Sequence, residues 1–177
     1  AGMRPISLIV DVTNFVMLDL GQPMHAFDRR RLKEDVLIRR AQKGEVMTTL
    51  DEEERKLEET DLLITSGGEP VALAGIMGGL GSMVDDDTTD LFLESATFHA
   101  ATVRRTSTRL GLRTDSSARF EKTLDPAGAE DAVHRFIGLL QELCPGAAPT
   151  GPLTDPAEWR YEPKTVRLRR ARLDLKL

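Results

Sequence analysis

Residues 9–20 read IVDVTNFVMLDL and run directly into GQPMHAFD at 21–28, and the fold class turns on how this junction is read. The first stretch is apolar on nearly every face, which predicts a buried helix with Gly21 and Pro23 as its stop. Beyond it the pattern breaks into short runs of strand character: VLIRR (36–40), EVMTTL (45–50), DLLIT (61–65), VALAGIM (71–77) and LFLESATF (91–98). Gly44, the acidic stretch 51–54, Gly67-Gly68 and the glycines of 78–81 punctuate these runs. Two helices follow. One runs from about His99 to Leu110 and is stopped by Gly111. In the other, Asp125 is placed to cap, Pro126 suits the first turn, and Ala129, Val133, Phe136, Leu140 and Leu143 form one apolar stripe. Pro145-Gly146 ends it. The sum is an α+β architecture, with mixed short-stranded sheets and flanking helices around a central pocket.

The ends read differently. Ala1-Gly2-Met3 has the look of residues left by cloning or of a fragment edge. Residues 145–159, PGAAPTGPLTDPAEW, hold four prolines and few apolar anchors, so 151–164 is expected to be a linker. TVRLRRARLDLKL (165–177) alternates like a strand with no partner in the chain, and is expected to be the start of another domain.

Composition sets the outer bounds. The chain has 177 residues, 24 Lys+Arg against 29 Asp+Glu, and a net charge of −5. At roughly 150 residues per domain this is one domain, or one plus a fragment. With 40% hydrophobic and 30% charged residues the chain can bury a core. The single Cys144 excludes a disulfide framework and a Cys-rich zinc site. No apolar run reaches membrane length, no signal-peptide pattern opens the chain, and the acidic balance excludes strong non-specific nucleic-acid binding, though not a local basic patch.

Glu94 is the most informative single residue. Alternate residues of a strand share a face, so Glu94 stands beside Phe92, Ala96 and Phe98. A carboxylate on an apolar face takes a hydrogen-bond partner, or its pKa rises. Two readings stand open: an edge Glu reaching solvent or an arginine, and a pocket carboxylate awaiting a ligand donor. Thr13 shares a helical stripe with Ile9, Met17 and Leu20, and a bond to a backbone carbonyl one turn back is its ordinary fate. His25 lies in a turn-rich segment, where an imidazole faces either solvent or a cleft. Thr114, Asp115, Ser116 and Ser117 stand where a helix starting near Ser117 needs its cap.

The glycine-rich AGIMGGLG (74–81) matches neither a P-loop nor a dinucleotide fingerprint; its glycines serve turns or admit a flat ligand close to the backbone. Asp85-Asp86-Asp87 with Asp90 reads as a solvated loop rather than a metal site. Arg104, Arg105, Arg109, Arg113 and Arg119 make one basic neighbourhood, suited to phosphate or to neutralising that acidic loop. No Ser-His-Asp or Cys-His arrangement is present to assign, and Cys144 reads as inert.

Four blocks, RPISLIVDVTNFVMLDLGQPMHAFD (4–28), VALAGIMGG (71–79), LFLESATF (91–98) and TDSSARFEKTLDP (114–126), together resemble the bacterial phenylalanyl-tRNA synthetase β-subunit family in its paired B3/B4 region. The resemblance spans roughly residues 4 to 150, and 165–177 resembles the first strand of the following B5 domain. It implies an editing module that hydrolyses tyrosine wrongly attached to tRNA(Phe), within a cytoplasmic α2β2 ligase that joins phenylalanine to that tRNA. It implies that His25 and Thr13 are catalytic, that Glu94 recognises the tyrosine hydroxyl, and that Gly78, Thr114 and Ser116 line the substrate pocket. Ser116 falls where the family commonly has alanine, and Leu8 where Asn is usual. The implied partners are the 3′ end of the mischarged tRNA and the synthetase α subunit, with no membrane. The module itself is expected to need no cofactor or metal, ATP and magnesium belonging to the complete synthetase. A non-catalytic tRNA-docking or subunit-assembly module is the alternative. A free-standing editing or small-molecule-binding protein is a third reading, disfavoured by the linker and the unfinished strand.

Overall fold

A computed structural model describes residues 2–33, 35–155, 162 and 165–176. Its first element, α1 (Leu8–Leu20), starts where the Ser7 side chain accepts the Val10 N–H. It ends where Gly21, at φ 77°, turns its own N–H back to the Met17 carbonyl, a conformation that favours glycine. Eight short strands follow: β1 (Met24–Asp28), β2 (Val36–Arg40), β3 (Val46–Thr48), β4 (Glu54–Lys56), β5 (Leu62–Ser66), β6 (Glu69–Leu73), β7 (Met77–Gly78) and β8 (Leu91–Ser95). The helices α2 (Ala100–Leu110), α3 (Asp115–Phe120), α4 (Gly128–Leu143) and the single turn α5 (Arg170–Leu173) complete the described chain.

The strands form three sheets: a pair β1-β8, a four-stranded sheet in the order β2-β5-β6-β7, and a pair β3-β4. The α+β class holds, but the sheets are not mixed. Every strand pair is antiparallel, because among the described residues no α-helix lies between β1 and β8 to supply a parallel crossover.

Two cores hold these layers. The larger gathers Phe27, Leu63, Leu73, Val103 and Phe120 between the four-stranded sheet and the α2–α3 corner. The smaller is Val12 and Val16 of α1 against Ala132 and Phe136 of α4, with Met24, Leu91 and Leu93 packed on it from the β1-β8 pair. Asp61 ties α2 to the sheet: fully buried, it accepts from Thr106 Oγ1 at 2.7 Å and the Glu58 N–H at 2.8 Å, and it pairs with Arg109.

Several local expectations need correction. α1 is not buried all round: Val12, Thr13, Val16 and Met17 face inward, while Phe15, Leu18 and Leu20 are 44–49% exposed, since β1 and α4 cover only one side. VALAGIM is not one strand. Its apolar run conceals a tight turn at Ala74–Ile76, where Gly75 takes φ 71° and the Ile76 N–H bonds Leu73 O. The acidic stretch ends in a strand, β4. α4 starts two residues later than Asp125 would cap, and its buried line runs through Ala132 and Phe136, leaving Leu143 exposed. Residues 165–169 form no strand among the described residues; Val166 and Leu168 stay exposed, as expected of an alternating segment without a partner. Most of the expected linker, residues 156–161 and 163–164, lies outside the described residues.

Candidate functional site

The segment MHAFD, part of the stretch read as turn-rich, is strand β1, and this change builds the site. β1 pairs with β8 in the register Met24↔Ser95, His25↔Glu94, Ala26↔Leu93, Phe27↔Phe92 and Asp28↔Leu91. Alternation then puts Met24, with Leu91 and Leu93, toward the α1–α4 layer, and sets His25 beside Glu94 on the opposite face. That face meets the β6–β7 turn and α3 around a cavity of about 50 Å³, to which His25, Glu94, Gly78, Ser116, Ile76 and Phe120 contribute.

Neither ionisable group is at ease in its ordinary charged form. The His25 ring stacks edge-on against Phe27, with centroids 4.4 Å apart, and its Nε2 is buried without a hydrogen-bond partner. Burial pushes its pKa down to about 4, so the imidazole is neutral at pH 7. Burial pushes the Glu94 carboxyl the other way, up to about 7. Glu94, half-buried, lines the cavity, and among the described residues it forms no ion pair with an arginine.

Gly78 is required by His25. A β-carbon on Gly78 would stand 2.5 Å from His25 Cε1 and 2.6 Å from Nε2. Thr114 works one layer further out. Its Oγ1 accepts the Ser117 N–H at 3.0 Å and donates to Ile76 O at 2.8 Å, so the cap of α3 also holds the β6–β7 turn. α3 begins at Asp115, two residues earlier than expected, which brings Ser116 into its first turn and onto the cavity. Thr114 is not among the residues that line the cavity, and neither is Thr13, which lies on α1 and donates its hydroxyl to Val10 O at 2.7 Å.

One feature escaped the sequence reading. Asp28, at the end of β1, is fully buried and accepts from the Arg30 backbone and guanidinium and from Thr88 Oγ1. The Arg30 hydrogen bonds hold its carboxyl well below the usual carboxylate range. Its signal was a carboxylate wedged between Phe27 and three successive arginines, 29–31. Gly75 serves a turn, one of the two roles open to the glycines of 74–81, and a β-carbon there would stand 2.9 Å from Phe98 and 3.1 Å from Phe120.

The five arginines do not neutralise the acidic loop. Asp85 pairs with Arg30 and Arg31, while Arg109, Arg113 and Arg119 serve Asp61, Glu121 and Asp115. Among the described residues no three His, Cys, Asp or Glu side chains converge as metal ligands, and no helix is long and apolar enough to cross a membrane.

A model of the B3/4 domain family matches residues 1–145, and the chain belongs to that family. It is similar to the phenylalanine–tRNA ligase β subunits of Geobacillus kaustophilus (46% identical over 167 residues, 94% of this chain) and Halalkalibacterium halodurans (50% over 169 residues, 95%). That of Moorella thermoacetica is 46% identical over 175 residues, 98% of the chain. The chain spans 21–22% of the length of these relatives.

Proposed function

We propose that this chain is an editing module, which hydrolyses tyrosine wrongly esterified to tRNA(Phe) as part of a cytoplasmic α2β2 phenylalanine–tRNA ligase. The observation that carries the reading is the cross-strand pair His25↔Glu94, both lining one cavity with Gly78 and Ser116, in a chain of the B3/4 family.

Tyrosine exceeds phenylalanine by one hydroxyl. A pocket built to bond that hydroxyl rejects the analogue lacking it, because the pocket's own polar group stays desolvated and unpaired. Glu94 suits this role, since its ionised form accepts the hydrogen bond that the phenol donates. A tyrosyl ring is larger than the present cavity, so its entry shifts lining side chains, of which Met77 has the most freedom. The Ser116 hydroxyl adds a second polar group to the same lining.

Water attacks the ester carbonyl, and the tetrahedral intermediate collapses by expelling the ribose oxygen, which takes up a proton. Tyrosine and free tRNA result, with no covalent enzyme intermediate. Neutral His25 offers a ring nitrogen to orient that water; a group with a pKa of about 4 is a poor general base at pH 7. Thr13 is assigned the positioning of the terminal adenosine, on the strength of the family resemblance. The Gly79 amide is committed to Val71 O and the Ile76 amide to Leu73 O. The Gly75 amide lies mid-turn on the cavity, and we assign it to the developing oxyanion. ATP and magnesium serve the synthetic site of the complete ligase.

The test is release of labelled tyrosine from Tyr-tRNA(Phe), with Phe-tRNA(Phe) alongside and Glu94→Ala as control, in the complete α–β enzyme and in this chain. Tyr-selective release that the control loses supports editing with Glu94 as discriminator. Silence in the complete enzyme leaves a tRNA-docking or assembly module.

A further inference from the structure

A second cleft, of about 480 Å³, lies between the turn from β8 into α2 and residues 123–126, and it plays no part in the chemistry above. One pair of rings divides it from the candidate site. Phe98 lines the cleft, Phe120 lines the cavity at Glu94, and the two meet edge-on with centroids 5.2 Å apart. The donors on its wall lack partners. α2 opens at His99 without a side-chain cap, and among the described residues the Ala100 and Ala101 N–H groups form no hydrogen bond. Thr97, also on this wall, has its Oγ1 buried without a partner. Arg104 lies one helical turn beyond Ala100 and reaches the same wall. Of the five arginines between 104 and 119, Arg109, Arg113 and Arg119 serve carboxylates. Among the described residues Arg104 and Arg105 form no ion pair, and of these two only Arg104 lines the cleft. Asp125, flanked by lining residues, is not one itself and accepts the Ala127 N–H at 3.0 Å. The remaining wall is apolar, made by Phe98, Leu124 and Pro126.

We propose that this cleft binds a phosphate of a single-stranded RNA end, with Arg104 and the first turn of α2 on the phosphate and Leu124 and Pro126 against the adjoining nucleoside. The inference goes beyond the editing reading, since it holds equally for a module that only docks tRNA. In a chain of net charge −5, an unpaired guanidinium beside an uncapped helix N-terminus makes a local anion site rather than a general affinity for nucleic acid. A buried hydroxyl without an acceptor stays desolvated at a cost, and a phosphate oxygen supplies that acceptor. The apolar wall opposite adds surface that inorganic phosphate alone would leave wet, and the volume falls within the roughly 300–1,000 Å³ of small-molecule sites. On the editing reading the placement also follows. A tyrosyl ester with its phenol at Glu94 sets its ring, ester and ribose between that carboxylate and the first phosphate, so the phosphate takes a separate site. Thr97 is three residues beyond Glu94, at most about 11 Å along the chain.

The experiment titrates this chain with the trinucleotide CpCpA, with AMP and with inorganic phosphate, following backbone amide NMR shifts in wild type, Arg104→Gln and Arg105→Gln. CpCpA is expected to shift the Ala100 and Ala101 amides, and Arg104→Gln to weaken its binding about tenfold. Arg105→Gln removes the same charge from outside the cleft and should change binding less than twofold. Equal losses in the two variants overturn the site, because they mark a diffuse surface field. Millimolar CpCpA that leaves the Ala100 and Ala101 amides unmoved overturns it as well. AMP or inorganic phosphate binding as tightly as CpCpA overturns the RNA assignment and marks a site for a free phosphate compound. Hydrolysis of Tyr-tRNA(Phe) by the complete α–β ligase is a separate arm. There Arg104→Gln should raise KM about tenfold with kcat unchanged, and an unchanged KM in an active enzyme overturns the RNA assignment. A wild type silent in that arm overturns editing alone, and the titration still decides the cleft.

Discussion

His25 occupies the space that a side chain on Gly78 would need: the would-be β-carbon lies 2.6 Å from Nε2 and 2.5 Å from Cε1. Phe27 backs the ring on another side, so the imidazole cannot yield without leaving its place next to Glu94. Gly78→Ala is therefore expected to cut tyrosine release at least tenfold and to cost about 1–3 kcal/mol of stability from overpacking. Gly81→Ala, with nothing within 4 Å of its β-carbon, is the control and should stay within about 0.5 kcal/mol. Tyrosine release and urea denaturation on the two variants decide the matter; full activity in Gly78→Ala would mean that the position of His25 is incidental.

The opposed pKa shifts of His25 and Glu94 predict an unusual dependence of stability on pH. Glu94 is raised to about 7, so its contribution is fully present below its ordinary value near 4.5 and is lost as pH rises through 7. His25 is lowered to about 4, so the folded state holds it neutral while the unfolded chain protonates it below 6.5, and stability falls as pH drops toward 4. Between 4.5 and 6.5 the folded pair keeps one proton, on Glu94, and the unfolded pair keeps one, on His25. The two slopes cancel. Glu94→Gln removes one of them, so relative to wild type its stability should rise with pH across that window by about 1.4 kcal/mol per unit. Parallel denaturation curves for the two proteins would refute the paired titration. In the same series, wild-type tyrosine release should climb from pH 6 to 8 as the carboxylate forms, and Glu94→Gln should lose that rise.

What local pattern could reveal, and what it could not, separates cleanly at this pair. α1 was legible because its caps are local: Gly21 is four residues from the carbonyl it satisfies. The face of Glu94 was legible by simple alternation along β8. Its partner was not, because β1 is five residues long, follows Pro23, carries a His and an Asp, and acquires its strand pairing chiefly from β8, nearly seventy residues away. The break in VALAGIM was hidden by its unbroken hydrophobicity, since both arms of the β6–β7 hairpin enter the same core. His25, Glu94, Gly78 and Ser116 could be nominated one by one from family blocks, but their convergence depends on that register.

Thr114 makes one bond that a capping reading alone would not give it. Its hydroxyl accepts from Ser117 N–H and donates to Ile76 O, while Ser117 Oγ accepts the Thr114 N–H at 2.9 Å. Thr114→Val keeps the shape and removes both hydroxyl bonds, for a loss of about 2 kcal/mol. Because the lost Ile76 bond frees the turn that carries Gly75, tyrosine release should fall further than stability explains. Thr114→Ser should restore both. A Val variant that loses stability but hydrolyses at the wild-type rate would confine Thr114 to capping.

Thr13 offers the sharpest division between a catalytic and a packing role. Its hydroxyl hydrogen is donated to Val10 O at 2.7 Å, so only its oxygen lone pairs remain for a substrate group. Thr13→Val is isosteric, and Val10 O loses only a supplementary donor, so the expected change in stability is under about 1 kcal/mol. If the residue positions the terminal adenosine, that quiet substitution should slow hydrolysis of Tyr-tRNA(Phe) about tenfold, chiefly through KM, and Thr13→Ser should recover most of it. An unchanged KM in Thr13→Val would return Thr13 to the interior of α1 and leave His25, Glu94 and the Gly75 amide as the working set.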